Sequence, residues 1–223
     1  MNPRPAEEHL RGLARPWRVA LAQAWAAHAA GNIGVGAVLT DDNGTVVAEG
    51  RNRIVDAEAP PGRLRSTFIA HAEMDVLAQL PPGDYPGHTV WTTLEPCLLC
   101  SSAIVMSSVG NVRYAARDWL WDGIDRLADV NDFVARRWPT RTGPLDGPVA
   151  AFCELLPVLW FVRRKPGGAV IRRYADRHPM LLLLAEQLER DGRVASLTGQ
   201  SIDVALAALW GDLSEFPGST GAG

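Results

Sequence analysis

Four side chains in two short motifs carry the chemistry available to this sequence. His71-Ala72-Glu73 and, after a gap of 22 residues, Pro96-Cys97-Leu98-Leu99-Cys100 offer one imidazole, one carboxylate and two thiols. One histidine and two thiolates fill three positions of a tetrahedral zinc ion and leave the fourth for water, as a hydrolytic site needs and a closed structural site does not allow. Two thiolates cancel the dication, so hydroxide at the fourth position makes the cluster anionic. Glu73 beside it is then easier to protonate than an ordinary carboxylate. Glu73 is therefore expected to take a proton from water and pass it to a leaving group.

The spacing says where these groups must sit. Cys97 and Cys100 lie three apart and face the same way on one helical turn, Pro96 is the residue expected at the first helical position, and a helix N-terminus favours thiolate over thiol. His71 and Glu73, two apart, diverge in mid-helix and can meet only from an opening turn. Both half-motifs are expected at helix starts. A closed zinc knuckle would need one more Cys or His. Cys153, 53 residues after Cys100, lies in an apolar stretch and reads as a small buried hydrophobe. His9, His28, His88 and His178 have no partner spacing and read as surface or hydrogen-bonded structural histidines.

The elements that hold the motifs follow from periodicity. With 223 residues and 47% hydrophobic content the chain can bury one substantial core, with a helical region appended. Residues 16–30 read as a helix stopped by Gly31-Asn32, residues 34–40 as a buried strand, Asp42-Asn43-Gly44 as a hairpin turn and residues 45–50 as its partner. Residues 70–80 read as helix up to Pro81-Pro82-Gly83, residues 89–93 as strand, 97–107 as helix and 111–115 as strand. This alternation is that of an α/β sheet, with both half-motifs at its edge. Residues 148–163, 179–190 and 201–213 read as three further helices, with Ser201 as N-cap and Gly192 as a stop, packed on the core or on a second subunit. Phe216 to Gly223 reads as a frayed, glycine-bearing tail.

Composition narrows the setting. Three cysteines, two of them given to metal, leave no disulfide framework and fit a reducing compartment, so the cytoplasm is the expected location. The acidic, proline-rich N-terminus and the short, interrupted apolar runs near residues 149–162 and 179–185 lead us to expect neither export signal nor membrane anchor. A net charge of −3 and a single lysine, Lys165, argue against a dedicated nucleic-acid binder. One basic cluster runs the other way: Arg163, Arg164, Lys165, Arg172, Arg173 and Arg177 put six cations within 15 residues, as an exposed charged hairpin or as a nucleic-acid patch.

The two half-motifs form the H-x-E…P-C-x-x-C pattern of zinc deaminases. Together with Gly36-Ala37-Val38-Leu39, Gly50-Arg51-Asn52-Arg53, Thr93-Leu94-Glu95 and Ala116-Arg117-Asp118, in that family's order, they make residues 15–120 resemble the cytidine and deoxycytidylate deaminase superfamily. The tRNA adenosine deaminase and guanine deaminase branches are nearest by these words. The resemblance implies a three-layer α/β/α fold with a mixed five-stranded sheet, extended here by the C-terminal helices of residues 121–223. It also implies zinc on His71, Cys97 and Cys100, Glu73 as general acid/base, and Asn52 on the base, although Asn52 could equally be a turn-former after Gly50. The expected substrate contacts are Asn52, Ala72, Trp119 and Trp121; the two tryptophans either stack on a flat heterocycle or pack into the core. The loop of residues 54–70 carries Arg63 and Arg65, which either grip a phosphate or lie on a solvated surface. The function expected is a zinc-dependent hydrolase, a homodimer, releasing ammonia from a small amino-substituted nucleobase, nucleoside or nucleotide. A tRNA adenosine deaminase is the first alternative, and a zinc-stabilised binding module without turnover is the second.

Overall fold

The structure, a computed structural model, describes residues 5–216; residues 1–4 and 217–223, hence nearly all of the glycine-bearing tail, lie outside the described residues. Helix α1 (Pro5–Gly12) leads into α2 (Arg15–Ala29), where Pro16 takes a first-turn position that has no backbone bond to lose. Trp17, Leu21, Ala24, Trp25 and His28 recur at three- and four-residue intervals and form the buried face of α2. Gly31, at φ 81°, closes it.

Strands β1 (Gly36–Thr40) and β2 (Val46–Arg51) pair antiparallel across a turn in which Asp41 Oδ1 accepts from the Asn43 and Thr45 N–H groups. The other edge of β1 pairs antiparallel with β3 (Thr89–Thr92), and β4 (Asn111–Tyr114) and β5 (Thr140–Thr142) follow in parallel. The sheet order is β2-β1-β3-β4-β5, the mixed five-stranded sheet that was expected. Alternation along β1 sets the layers. Gly36 faces α2, so closely that a Cβ there would stand 2.1 Å from the Ala20 carbonyl oxygen. Ala37 and Leu39 face the other way, into a cluster with Val76 of helix α3 (Ala72–Leu77) and Ile104 of helix α4 (Leu98–Met106). Helix α3 is shorter than the periodicity predicts, because residues 78–80 leave it ahead of Pro81-Pro82.

Beyond β4 come α5 (Asp132–Arg137), α6 (Gly147–Arg164), α7 (Ala169–Arg177), α8 (Pro179–Arg190) and α9 (Ile202–Leu213). Ser201 caps α9 by accepting from the Val204 N–H, and Gly192, at φ 64°, follows α8, as the sequence predicts. Phe152, Leu155, Leu156 and Leu159 of α6 pack in one cluster with Trp17, Leu21 and Trp25 of α2 and with Leu181, Leu188, Leu206 and Leu209. The charged hairpin reading of residues 163–177 is corrected: a helix forms there, because Ile171 and Tyr174 supply a buried stripe between outward arginines. Among the described residues no helix is long and apolar enough to cross a membrane.

Candidate active site

Both half-motifs open helices. His71 is the extended N-cap of α3, at φ −76° and ψ 159°, and Glu73 lies in its first turn. Cys97 is the extended N-cap of α4, with Cys100 in its first turn. Pro96 therefore precedes the cap rather than taking the first helical position, which leaves the cap to the cysteine side chain. The break from helical geometry at each cap lets residues two apart in sequence converge.

The imidazole Nδ1 of His71 lies 3.6 Å from Cys97 Sγ and 3.4 Å from Cys100 Sγ, and the three ligand atoms lie within 4.8 Å of one another. A tetrahedral zinc with Zn–S of about 2.3 Å and Zn–N of about 2.0–2.1 Å sets its N–S edges at about 3.6 Å, so these residues fit the ion. The hydrogen bond from Cys100 brings Cys97 down to about 4, against the opposing effect of burial and with further help from His71. Cys97 is thus ready to ligate as thiolate, while the same bond, with burial, holds Cys100 up until a metal displaces its proton.

Glu73 is buried and does not belong to the ligand cluster. Its Oε1 accepts from Thr92 Oγ1 of β3 at 2.8 Å and its Oε2 from Cys100 Sγ at 3.4 Å. Burial, and then the neighbouring Cys97 thiolate, push its carboxyl above the ordinary range. A carboxyl so placed holds a proton more readily than an exposed one, which suits it to act as an acid/base.

A cavity of about 270 Å³ opens onto this cradle. Asn52, held by its N–H to the Val35 carbonyl, lines it; its Oδ1 accepts from the Ile54 N–H at 3.3 Å, and among the described residues its amide nitrogen has no partner. Trp121 also lines the cavity, whereas Trp119 turns away and donates to Glu154 Oε1 at 2.7 Å. Ala72 is fully buried behind His71, against β2: a Cβ on Gly50 would meet its carbonyl oxygen at 2.9 Å. Neither Ala72 nor Trp119 is among the lining side chains.

The arginines of the 54–70 loop spend their guanidinium groups on the chain itself, Arg63 half-buried and Arg65 exposed. Arg63 binds the Glu49 carbonyl and Asp75, and Arg65 binds the Ala57 carbonyl. Asp56 ties the loop down by accepting from Arg51 at 2.6 Å, Arg53 at 3.1 Å and Asn32 at 2.6 Å. In the basic cluster Arg163 pairs with Glu189, Arg173 donates to the Trp119 carbonyl, and Arg177 reaches Asp122 at 3.3 Å. Of the remaining histidines His88 meets Asp42 and His178 meets Glu154, but His28 is buried with both ring nitrogens unpaired among the described residues, contrary to the expectation of a hydrogen-bonded histidine.

Asp118 and Glu95 line the cavity although the sequence assigned them no role; both stood inside the quoted words. Burial raises Asp118 to about 7 against its bond from the Leu120 N–H, with Cys97 and Glu95 adding to the rise. Glu95 is paired at 2.8 Å with Arg141 of β5. Trp160, Phe161 and Tyr174 also line the cavity. The only signal of Trp160 and Phe161 was an apolar helical face, which reads as core, and Tyr174 stood inside the basic cluster.

Residues 14–116 match the family described as cytidine and deoxycytidylate deaminase zinc-binding region. The tRNA-specific adenosine deaminase of Aquifex aeolicus is 29% identical over 119 residues, 52% of this chain and 73% of that enzyme. The cytosine deaminase of Candida albicans is 32% identical over 92 residues, 40% of this chain and 56% of the other. A tRNA(Ile)-lysidine synthase of Deinococcus radiodurans is 30% identical over 164 residues, 70% of this chain but 25% of that enzyme.

Proposed function

Residues 14–116 belong to the cytidine and deoxycytidylate deaminase superfamily, and from that premise we propose that the chain is a zinc-dependent hydrolase that releases ammonia from a small amino-substituted nucleobase, nucleoside or nucleotide. The observation that carries this reading is the pairing of a three-ligand cradle with a buried carboxyl that ligates nothing: His71, Cys97 and Cys100 converge, and Glu73 stands beside them on Thr92. Zinc in that cradle supplies the Lewis acidity that makes water a nucleophile near neutral pH. The chain does the rest. Asn52 offers its free amide N–H to the ring of the substrate, and Trp121 with the apolar walls excludes bulk water. Glu73 takes one proton as water adds to the ring carbon that bears the amine and passes it to the adjacent ring nitrogen, then carries the hydroxyl proton to the amine as the C–N bond breaks, so that ammonia leaves and a carbonyl remains beside a protonated ring nitrogen. The enzyme works in the cytoplasm as a homodimer; Leu98 and Met106, exposed on α4, support self-association.

Elemental analysis should find one zinc per chain, lost in Cys97→Ala, and the zinc-loaded protein should release ammonia from at least one compound in a panel of bases, nucleosides and nucleotides. A chain that binds zinc and deaminates nothing would instead be the binding module.

The tRNA-specific relatives favour a second reading, a deaminase acting on tRNA. A tRNA substrate predicts log affinity falling with log salt by roughly 0.7–0.9 per phosphate contact. For the small substrate proposed here KM should barely move between about 50 and 500 mM salt, a range over which the Debye length shortens about threefold. Replacing Arg163, Arg164, Arg172 and Arg173 by Gln should then leave RNA binding as weak as before.

A further inference from the structure

The roof of the cavity comes from outside the family region. Pro157, Trp160 and Phe161 of α6, Lys165 just after it, and Val170 and Tyr174 of α7 face the same space as His71, Glu73 and Cys97. All six follow residue 116, where the family match ends. The roof is fixed in place. Trp160 Nε1 donates to the Gly31 carbonyl at 2.9 Å, while Arg173 holds the Trp119 carbonyl at 2.8 Å and so ties α7 to the segment that carries Trp121.

Charge and size then select the ligand. The cavity wall carries three carboxyl side chains, Glu73, Glu95 and Asp118, against one cationic side chain beyond His71, that of Lys165. The Lys165 ammonium sits 5.7 Å from the centre of the Phe68 ring. No arginine lines the cavity among the described residues, and the forked donors that grip phosphate are turned to carbonyls and carboxylates elsewhere. A phosphate dianion entering here would be desolvated with Lys165 as its one cationic partner and without the forked donors that usually grip it. At about 270 Å³ the cavity stands at the small end of ligand sites and suits a base or its nucleoside.

We propose that α6 and α7 form a specificity-determining roof that restricts this site to an uncharged amino-heterocycle, a free base or its nucleoside, and refuses the phosphorylated form and RNA. The proposal rests on the site assignment made above but not on turnover, since a roof selects at binding.

The test separates the two. Calorimetry on the full-length, zinc-loaded Glu73→Gln protein would compare adenine, guanine and cytosine with their nucleosides, their 5′-monophosphates and a tRNA anticodon stem-loop. At least one base or nucleoside should bind ~10²-fold tighter than its monophosphate. The roof variants Phe161→Ala and Val170→Ala, checked for unchanged zinc content and helical circular dichroism, should weaken the preferred ligand about tenfold and narrow its margin over the monophosphate. Trp160→Ala is unsuitable alone, because it also removes the bond to Gly31. Selective binding without ammonia release by the wild-type chain would end the deaminase reading and leave the roof standing. Equal or tighter binding of a monophosphate or the stem-loop, no binding by any compound, or roof variants that bind all ligands as the parent does would overturn the roof.

Discussion

Glu73 separates catalysis from metal binding at a single position. It takes no place among the ligands and receives a hydrogen bond from Thr92, so exchanging its carboxylate for an amide removes a proton carrier without disturbing the cradle. Glu73→Gln should keep one zinc per chain and lower kcat by ~10²–10⁴, the range of a positioned acid/base; near wild-type turnover on a true substrate would take Glu73 out of the mechanism. His28 is the opposite kind of residue, a titratable group with no part in the site. It is buried, stacked on Trp25 at 5.5 Å between ring centroids, and unpaired at both nitrogens among the described residues. Burial first, and the Arg163 charge second, lower it from 6.5 to about 4. The sign follows from proton counting. Below pH 6.5 the unfolded chain binds a proton that the folded chain refuses until about pH 4, so this residue subtracts stability as pH falls through that window, by about 3 kcal/mol in all. His28→Phe, which keeps the stack, should remove that part of the acid loss. Urea midpoints at pH 7 and pH 4.5 check it, and an identical drop in both proteins would mean that His28 is not held neutral.

At the scale of elements, the site depends on how closely β1 approaches α2. Gly36 is the point of contact, with the Ala20 carbonyl oxygen 2.1 Å and the Ala24 nitrogen 2.4 Å from where a Cβ would lie. Both are backbone atoms that cannot rotate aside. Gly36→Ala should cost about 1–3 kcal/mol in urea unfolding, as overpacking does, whereas Gly12→Ala, where nothing lies within 4 Å, should cost nothing; equal effects would remove the packing argument. The same strand shows what the sequence disclosed. The β1–β2 hairpin was legible because Asp42-Asn43-Gly44 separates two β-rich runs, and the cradle because ligand types at fixed spacing admit few geometries. β5 was not legible: Thr140-Arg141-Thr142 has no apolar residue, and its value is the Arg141 that pairs Glu95, a contact 46 residues distant. α7 was masked by its own cations, since Ile171 and Tyr174 are too few to stand out among arginines. Trp119 and Trp121 looked alike in sequence, and only Glu154, 35 residues from Trp119, decides which one turns from the cavity.

The molecule as a whole is built on a core that crosses the boundary of the family region. Helix α2 lies inside residues 14–116 and α6, α8 and α9 lie outside, yet Trp17, Leu21 and Trp25 share one cluster with Phe152, Leu159, Leu188 and Leu209. Trp25 Nε1 also donates to the Gln200 carbonyl at 2.9 Å, a bond across 175 residues. Separating the two regions would expose both sides of this cluster at roughly 25 cal/mol per Å² of apolar surface, a large fraction of what a domain of this size has to spare. A C-terminal half that folded alone would have to find another cover for α6, which is buried from Val149 to Trp160. The expected outcome is therefore one cooperative unfolding unit. Trp91 in β3 reports on the sheet and Trp210 in α9 on the far end of the extension. With every other tryptophan kept, the fluorescence difference between the parent and its Trp91→Phe variant, and that between the parent and its Trp210→Phe variant, should give urea transitions that coincide with each other and with the loss of helical circular dichroism. Two separated midpoints, with the α9 reporter melting first, would mean that the extension is an independent domain resting on the core, and the cavity roof would then be a movable part.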